Sequence, residues 1–152
     1  MRTSGQWVAM AVMVALITAS LAIRAPANGT QQKPEEKKHA IDIWYDKEME
    51  KPENQSTHGM RQVVWKAGEK WDAEMNRVYK KLMSHLDAKQ KAALQKSQRA
   101  WIAFRDAETQ TTIQITGRMD GTMWLVVGDQ QRTNLVRDRA NQLIEYERLG
   151  KE

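Results

Sequence analysis

Hydrophobic residues recur at helical spacing through most of the chain beyond residue 38. The clearest stripe lies over 57–86, where apolar positions return at steps of three and four and occupy one face of a helix about 45 Å long. Pro52 separates this helix from a shorter one predicted over 39–51, because proline does not continue a helix. The stripe consists of Met60, Val64, Gly68, Trp71, Met75, Val78, Tyr79, Leu82 and Leu86. The pattern predicts an all-α fold, a small antiparallel helical bundle of three to four helices.

A third helix is predicted after Asp87, which can cap it. Its inner stripe consists of Leu94, Ser97, Trp101, Phe104 and Glu108. The segment 109–115 is rich in β-branched residues, which leaves open whether the helix frays there or gives way to a strand. Gly117 and Gly121 then mark a turn.

A last helix is predicted from a cap at Thr122 to about residue 149. Its first turn, over 123–127, is apolar all round. This indicates either burial beneath other helices or a strand paired with 111–115. We favour the helix, because its apolar spacing continues through Leu135, Val136, Ala140, Leu143 and Ile144.

The amino terminus carries an export pattern. Arg2 supplies a short positive start, residues 7–23 are almost wholly apolar, and small residues flank the proline of 25–27. This order is typical of a secretory signal peptide over 1–27, which would leave the mature protein in the periplasm or secreted. The alternative is an uncleaved anchor in the inner membrane, since the apolar segment is at the short limit of a membrane span.

Charge is unevenly distributed along the chain, whose net charge is +5 at pH 7. A polar, flexible leader at 28–38 precedes a single helical domain at 39–150. Residues 28–53 carry a net charge of −2, residues 54–116 carry +5 and residues 117–152 are neutral. A net positive charge this small does not by itself predict nucleic-acid binding. Because the chain has no cysteine, disulfides and thiolate metal sites are excluded and packing must supply the stability.

No catalytic, metal or cofactor motif is present. The three histidines, His39, His58 and His85, are far apart and none has a partner at metal-ligand spacing. Paired carboxylates lie in charged, exposed contexts rather than in settings suited to acid–base catalysis. Trp71 and Trp101 lie on apolar stripes and are predicted core residues, whereas Trp65 lies at a stripe edge and is the best candidate for an exposed contact. The sequence therefore favours a binding or structural protein over an enzyme.

A basic face runs along the predicted second helix, opposite its apolar stripe. Such a face is usually only solvated, but it could also bind an anionic membrane or the polyanions of the cell wall. It consists of Lys66, Lys70, Arg77, Lys80 and Lys81.

One segment contains a specific residue motif in addition to helical spacing. This is the string L-x-x-S-Q-R-A-W-x-x-F-R-D-A-E over 94–108. It resembles the hallmark segment of the LprI-type lysozyme-inhibitor family. The string W-x-x-E-M-N-x-x-Y-x-x-L over 71–82 is similar to the family's preceding helix. Gly121, Thr122 and Met123, followed by Thr133, Arg137, Arg139 and Leu143, are similar to its closing helix. The resemblance covers roughly 41–149.

The resemblance implies an exported helical domain that binds lysozyme or another envelope protein. Family members usually carry a cysteine directly after the hallmark string, where this chain has Thr109. Animal lysozymes are strongly basic, so acidic surface on an inhibitor would favour association, and only 28–53 has that sign. The motif residues that become candidate binding residues are Asn76, Tyr79, Gln98, Trp101 and Arg105.

Four of these candidates are expected to meet if the second and third helices pack antiparallel. Asn76 and Gln98 lie equally far in sequence from Asp87, at the predicted connection. Together with Tyr79 and Arg105 they would form one of two arrangements. Either the four side chains hydrogen-bond to one another inside the bundle and fix the register of the helices, or they line a polar groove for a partner.

Cleavage of the predicted signal peptide can be tested directly. Cleavage after residue 27 would leave Asn28 as the amino terminus of the mature protein in the periplasm. Mass spectrometry of amino-terminal peptides from fractionated cells measures this directly. A species retaining Met1 in the membrane fraction would instead indicate the uncleaved anchor.

Overall fold

The computed structural model describes residues 38–150. The predicted signal segment at 1–27, and all but the last residue of the predicted leader at 28–38, lie outside the described residues. Within 38–150 the chain forms four α-helices and a short 3-10 turn at Pro52–Asn54, and contains no strand. The helices are α1 (Ala40–Met49), α2 (Thr57–His85), α3 (Ala88–Thr116) and α4 (Met123–Leu149). The all-α prediction is confirmed.

Side-chain caps set the starts of the two longest helices. Ser56 Oγ accepts a hydrogen bond of 3.0 Å from the Gly59 backbone amide, so Ser56 caps α2 and Thr57 is its first helical residue. Thr57, which as a threonine could itself have capped this helix, does not do so. The predicted cap at Asp87 is confirmed, because Asp87 and Gln90 form a reciprocal capping box at the start of α3.

The β-branched segment at 109–115 is helical, and α3 continues to Thr116. Its threonine hydroxyls donate to carbonyl oxygens one turn earlier, Thr109 to Arg105 at 2.7 Å and Thr116 to Thr112 at 2.8 Å. These bonds satisfy the hydroxyls without interrupting the helix. The frayed or strand alternatives do not apply.

The core lies between α2 and α4. The predicted stripe on α2 is confirmed, since its central residues are buried and Trp71 is only 1% exposed. Consecutive helices run antiparallel, which places α2 and α4 side by side and parallel. The main buried residues of the cluster are Trp71, Met75, Val78 and Leu82 of α2, Leu94 of α3, and Val136, Ala140 and Leu143 of α4.

Close approach of α2 and α4 depends on a small residue, Gly68. A Cβ added at Gly68 would lie 3.1 Å from Thr133 Oγ1, which is tighter than ordinary van der Waals contact. The same hydroxyl donates to the Val64 carbonyl at 3.3 Å. Gly68 therefore allows α4 to lie directly against the backbone of α2.

α3 packs mainly on α4 and contributes little to the core. The predicted inner stripe on α3 is wrong for Ser97, Phe104 and Glu108, which are exposed, Phe104 by 52%. Leu94 is buried and Trp101 is half-buried against the core. The stripe fails because α3 lies beside α2 only near their connection, so most of its side facing α2 remains open.

α1 lies across α2 and α4 without burying any residue completely. Tyr45 Oη donates to Gln130 Oε1 at 2.7 Å, and Arg137 Nη2 donates to Asp42 Oδ2 at 2.8 Å. The ring of His39 lies 4.5 Å from the ring of Trp71. Polar and aromatic contacts, together with the partly buried Ile41 packed on the core, thus hold α1 in place.

The apolar first turn of α4 differs from the expectation of burial. Met123, Trp124 and Leu125 are exposed, and burial begins only at Val126. Thr122 holds the cap position, but its hydroxyl makes no capping bond and lies 3.1 Å from the Thr57 hydroxyl. None of the described helices is both long and apolar enough to cross a lipid bilayer.

These burial differences predict a graded response to truncation of aromatic side chains. Trp71→Ala should cost about 3–5 kcal/mol of unfolding free energy because it leaves a cavity in the core. Phe104→Ala should cost less than about 1 kcal/mol, and Trp101→Ala should fall between them. Urea denaturation followed by circular dichroism measures all three. Equal losses at Trp71 and Phe104 would contradict the position of α3 described here.

Candidate functional site

The structure separates the motif residues that were expected to meet. Asn76 is exposed on α2 and donates to Asp72 one turn earlier, to its carbonyl and its carboxylate at 2.9 Å each. Tyr79 is half-buried against the core. Gln98 nevertheless lies at the height along α2 that was predicted for it, close to Asn76. Its Nε2 is 3.8 Å from Sδ of Met75, the residue before Asn76.

Arg105 is on the open side of α3. Its guanidinium donates to Asp106 Oδ1 from Nε at 2.9 Å and from Nη2 at 2.7 Å, and lies 5.3 Å from the centre of the Trp101 ring. Arg105 therefore does not form the expected cluster with Gln98. It is held by its sequence neighbour and by an aromatic face instead.

Gln98 binds a buried cation, Arg139 of α4, which the resemblance matched to the closing helix but which was not among the candidate binding residues. Arg139 is 4% exposed, and its Nε donates to Gln98 Oε1 at 2.9 Å. Its Nη2 donates to Ser97 Oγ at 3.1 Å, and Nη1 donates to Gln142. Burial lowers the pKa of Arg139, an effect that Tyr146 opposes. All three acceptors are neutral, so the Ser-Gln pair of the motif solvates a buried charge and joins α3 to α4.

A groove of about 640 Å³ opens between α2 and α3, with α4 as its floor. It exists because α3 leaves α2 beyond Gln98. Trp65 stands at the groove and is 43% exposed, as its position at the stripe edge predicted. Arg105 is the member of the motif candidates that lines the groove. The other polar lining residues include Glu69, Asp72, Asp106, Thr109, Gln110, Asp129 and Arg132.

The charge of the groove is acidic although α2 and α3 are basic overall. Four carboxylates line it against two guanidiniums, those of Arg105 and Arg132. Asp129 forms an ion pair of 2.6 Å with Arg61, whose guanidinium lies 4.8 Å from the centre of the Trp65 ring. Within residues 38–150, Glu69 and Asp72 have no cationic partner. These two carboxylates remain available to a positively charged ligand.

The predicted basic face of α2 is interrupted by local partners. Arg77 donates to both carboxylate oxygens of Glu74, at 2.8 and 2.7 Å, and lowers the pKa of Glu74. Lys81 forms an ion pair with Glu147 of α4. Lys70 Nζ lies 4.7 Å from the centre of the Trp44 ring. Lys66 and Lys80 are exposed. Two of the five cations of this face are therefore paired with carboxylates, and a third lies on an aromatic ring.

Metal binding has no support in the part of the chain that the structure describes. No group of three or more histidine, aspartate or glutamate side chains converges there at metal-ligand distance. His39 caps α1, accepting from the Ile41 amide at 3.2 Å, and lies 3.8 Å from Glu74.

The Gln98–Arg139 contact predicts a measurable coupling energy. Gln98→Leu should cost about 1–3 kcal/mol because it removes an acceptor from a buried guanidinium. Gln95→Leu, at an exposed position on the same helix, is the matched control and should be nearly neutral. Arg139→Met should recover part of the loss when added to Gln98→Leu, since the unsatisfied charge is gone. Additive effects in a thermal-unfolding cycle would contradict the coupling.

A solved structure of an uncharacterised protein from Burkholderia thailandensis is similar to the chain, with 27% sequence identity and a TM-score of 0.67. The match covers 71% of this chain and 53% of that one, so the chain spans about half the length of this relative. No match was found among proteins with curated functions. The family model described as lysozyme inhibitor LprI matches residues 49–143, which include α2, α3 and most of α4. The chain therefore belongs to the LprI lysozyme inhibitor family.

Proposed function

We propose that this protein is an exported envelope protein that binds lysozyme through the groove between α2 and α3 and inhibits it. The observation that carries the proposal is the excess of carboxylates over guanidiniums in the groove. Family membership supplies the class of partner, a lysozyme.

Charge complementarity supports the groove over the rest of the surface. Animal lysozymes are strongly basic, and opposite charge on an inhibitor accelerates association and suppresses wrong partners. The regional charge of 54–116 has the wrong sign for such a partner. The groove has the right sign, because it collects Glu69 and Asp72 from α2, Asp106 from α3 and Asp129 from α4.

An aromatic anchor accompanies these charges. Exposed tryptophans at the edge of a groove are frequent centres of binding energy in protein interfaces. One side of the Trp65 ring is covered by Arg61, which is itself fixed by Asp129. This support restricts the ring before binding, so less conformational entropy is lost when a partner covers it.

The test removes groove charge without changing side-chain size. The double variant Glu69→Gln with Asp72→Asn should weaken lysozyme binding about tenfold, through loss of two favourable charge interactions. Asp138→Asn, an exposed carboxylate of α4 outside the groove, is the matched control and should bind like the wild type. Calorimetric titration gives the Kd, and an assay of cell-wall lysis gives inhibition.

Salt provides an independent measure of the same interaction. Wild-type binding should weaken as ionic strength rises, and the double variant should show a shallower dependence. Absence of wild-type binding to lysozyme would overturn the proposed function. Normal binding and inhibition by the double variant would keep the function but move the site away from the groove.

A further inference from the structure

A second surface stands apart from the groove, at the end of the bundle where α3 turns into α4. Large apolar side chains are concentrated there, each between 38 and 56% exposed. Residues 109–128 contain two charged side chains, Arg118 and Asp120, within a chain that is 28% charged. Exposed apolar clusters of this kind mark interaction sites. We call this surface the apolar tip; it consists of Ile113, Ile115, Met119, Met123, Trp124 and Leu125.

The side chains of the apolar tip point in several directions. Met123, Trp124 and Leu125 are consecutive in α4, so they project at steps of about 100° around its first turn. Ile113 and Ile115 are two residues apart in α3 and project about 160° from each other. A protein surface docked on one side would cover only part of this set. A fluid apolar medium that surrounds the end of the hairpin would cover all of it.

Two threonine hydroxyls near the tip already have hydrogen-bond partners within the protein. Thr111 Oγ1 donates to the Ala107 carbonyl at 3.0 Å, and Thr116 Oγ1 donates to the Thr112 carbonyl at 2.8 Å. Hydroxyl groups with internal partners lose less on leaving water than free ones do. These two hydroxyls therefore add little to the cost of moving the end of α3 into a less polar medium.

The hairpin is also held firmly. A Cβ at Gly128 would lie 3.1 Å from Thr116 Oγ1, so α3 and α4 are in close contact just behind the tip. Across the end of the bundle the hydroxyls of Thr122 and Thr57 are 3.1 Å apart. The apolar side chains are presented on a rigid support rather than on a loose loop.

We propose that the apolar tip enters the headgroup layer of a lipid bilayer. Trp124 suits the boundary between headgroups and acyl chains, because its ring is amphipathic. Arg118 and Asp120 lie in the turn at the end of the tip and limit the depth, because their charges must stay among the polar headgroups. The insertion is shallow, of the order of 5–10 Å, as for other proteins that lie on a bilayer surface.

A local fluorescent probe tests this, and the lack of cysteine makes its placement unambiguous. The full chain carrying Met119→Cys is labelled with a polarity-sensitive dye and mixed with vesicles of phosphatidylethanolamine and phosphatidylglycerol. The matched control carries the label at Ser84→Cys, an exposed position near the far end of α2, about 40 Å along the bundle from the tip. Because the readout is local, contacts of residues 7–23 with the vesicles do not produce it.

Insertion predicts a blue shift of the dye at position 119, and loss of its emission with brominated lipids, with neither change at position 84. Leu125→Ser in the labelled background should reduce the shift, whereas Phe104→Ser, an exposed apolar residue outside the tip, should leave it unchanged. Circular dichroism checks that each variant retains its helices.

Three results would overturn the proposal. The first is no shift at position 119 in the presence of vesicles. The second is an equal shift at both positions, which indicates non-specific adsorption. The third is a shift of the dye that appears without vesicles when the protein concentration is raised. That result would assign the tip to contact with a second copy of the chain.

Discussion

Close packing of α2 against α4 is the contact on which the rest of the bundle depends. Gly68 allows the two backbones to approach, and the buried side chain of Trp71 fills the core one turn further along α2. The chain has no cysteine, so no covalent link can replace this contact if it is weakened. Both neighbouring helices use the pair as a platform: α1 lies across it through polar and aromatic contacts, and α3 packs on its α4 side. The groove is a consequence of that asymmetry, because beyond Gln98 α3 is supported by α4 and not by α2.

The hallmark string of the family divides into two roles along α3. Its Ser-Gln pair faces Arg139 and solvates a buried cation that has only neutral acceptors. About two turns later, Arg105 and Asp106 line the groove. A single segment therefore fixes α3 on α4 and supplies part of the wall of the groove. This explains why a structural and a binding interpretation of the string were both reasonable from sequence.

The spacing of apolar residues predicted the features that depend on a single helix and missed the features that depend on how several helices pack. The stripe on α2 was predicted in detail because α2 is covered along its whole length, so its period and its burial coincide. Phe104 was assigned to the core on the same logic, and wrongly, because spacing gives the face of a helix but not whether a neighbour covers it. Arg139 lies between the buried Val136 and Leu143, and its position on that inner face was the available signal. The acidity of the groove could not be predicted, since its carboxylates come from three helices and only the fold brings them together.

The way α1 is attached has a consequence for local stability. Opening free energy depends on how much apolar surface a segment buries, and α1 has no fully buried residue. A few side-chain hydrogen bonds and ion pairs can break without disturbing the buried cluster of α2 and α4. We therefore expect α1 to open as a separate cooperative unit at a lower free energy than α2 and α4, so that its backbone amides exchange with solvent first. Each such opening would remove His39 from the ring of Trp71 and transiently give the largest side chain of the core access to water.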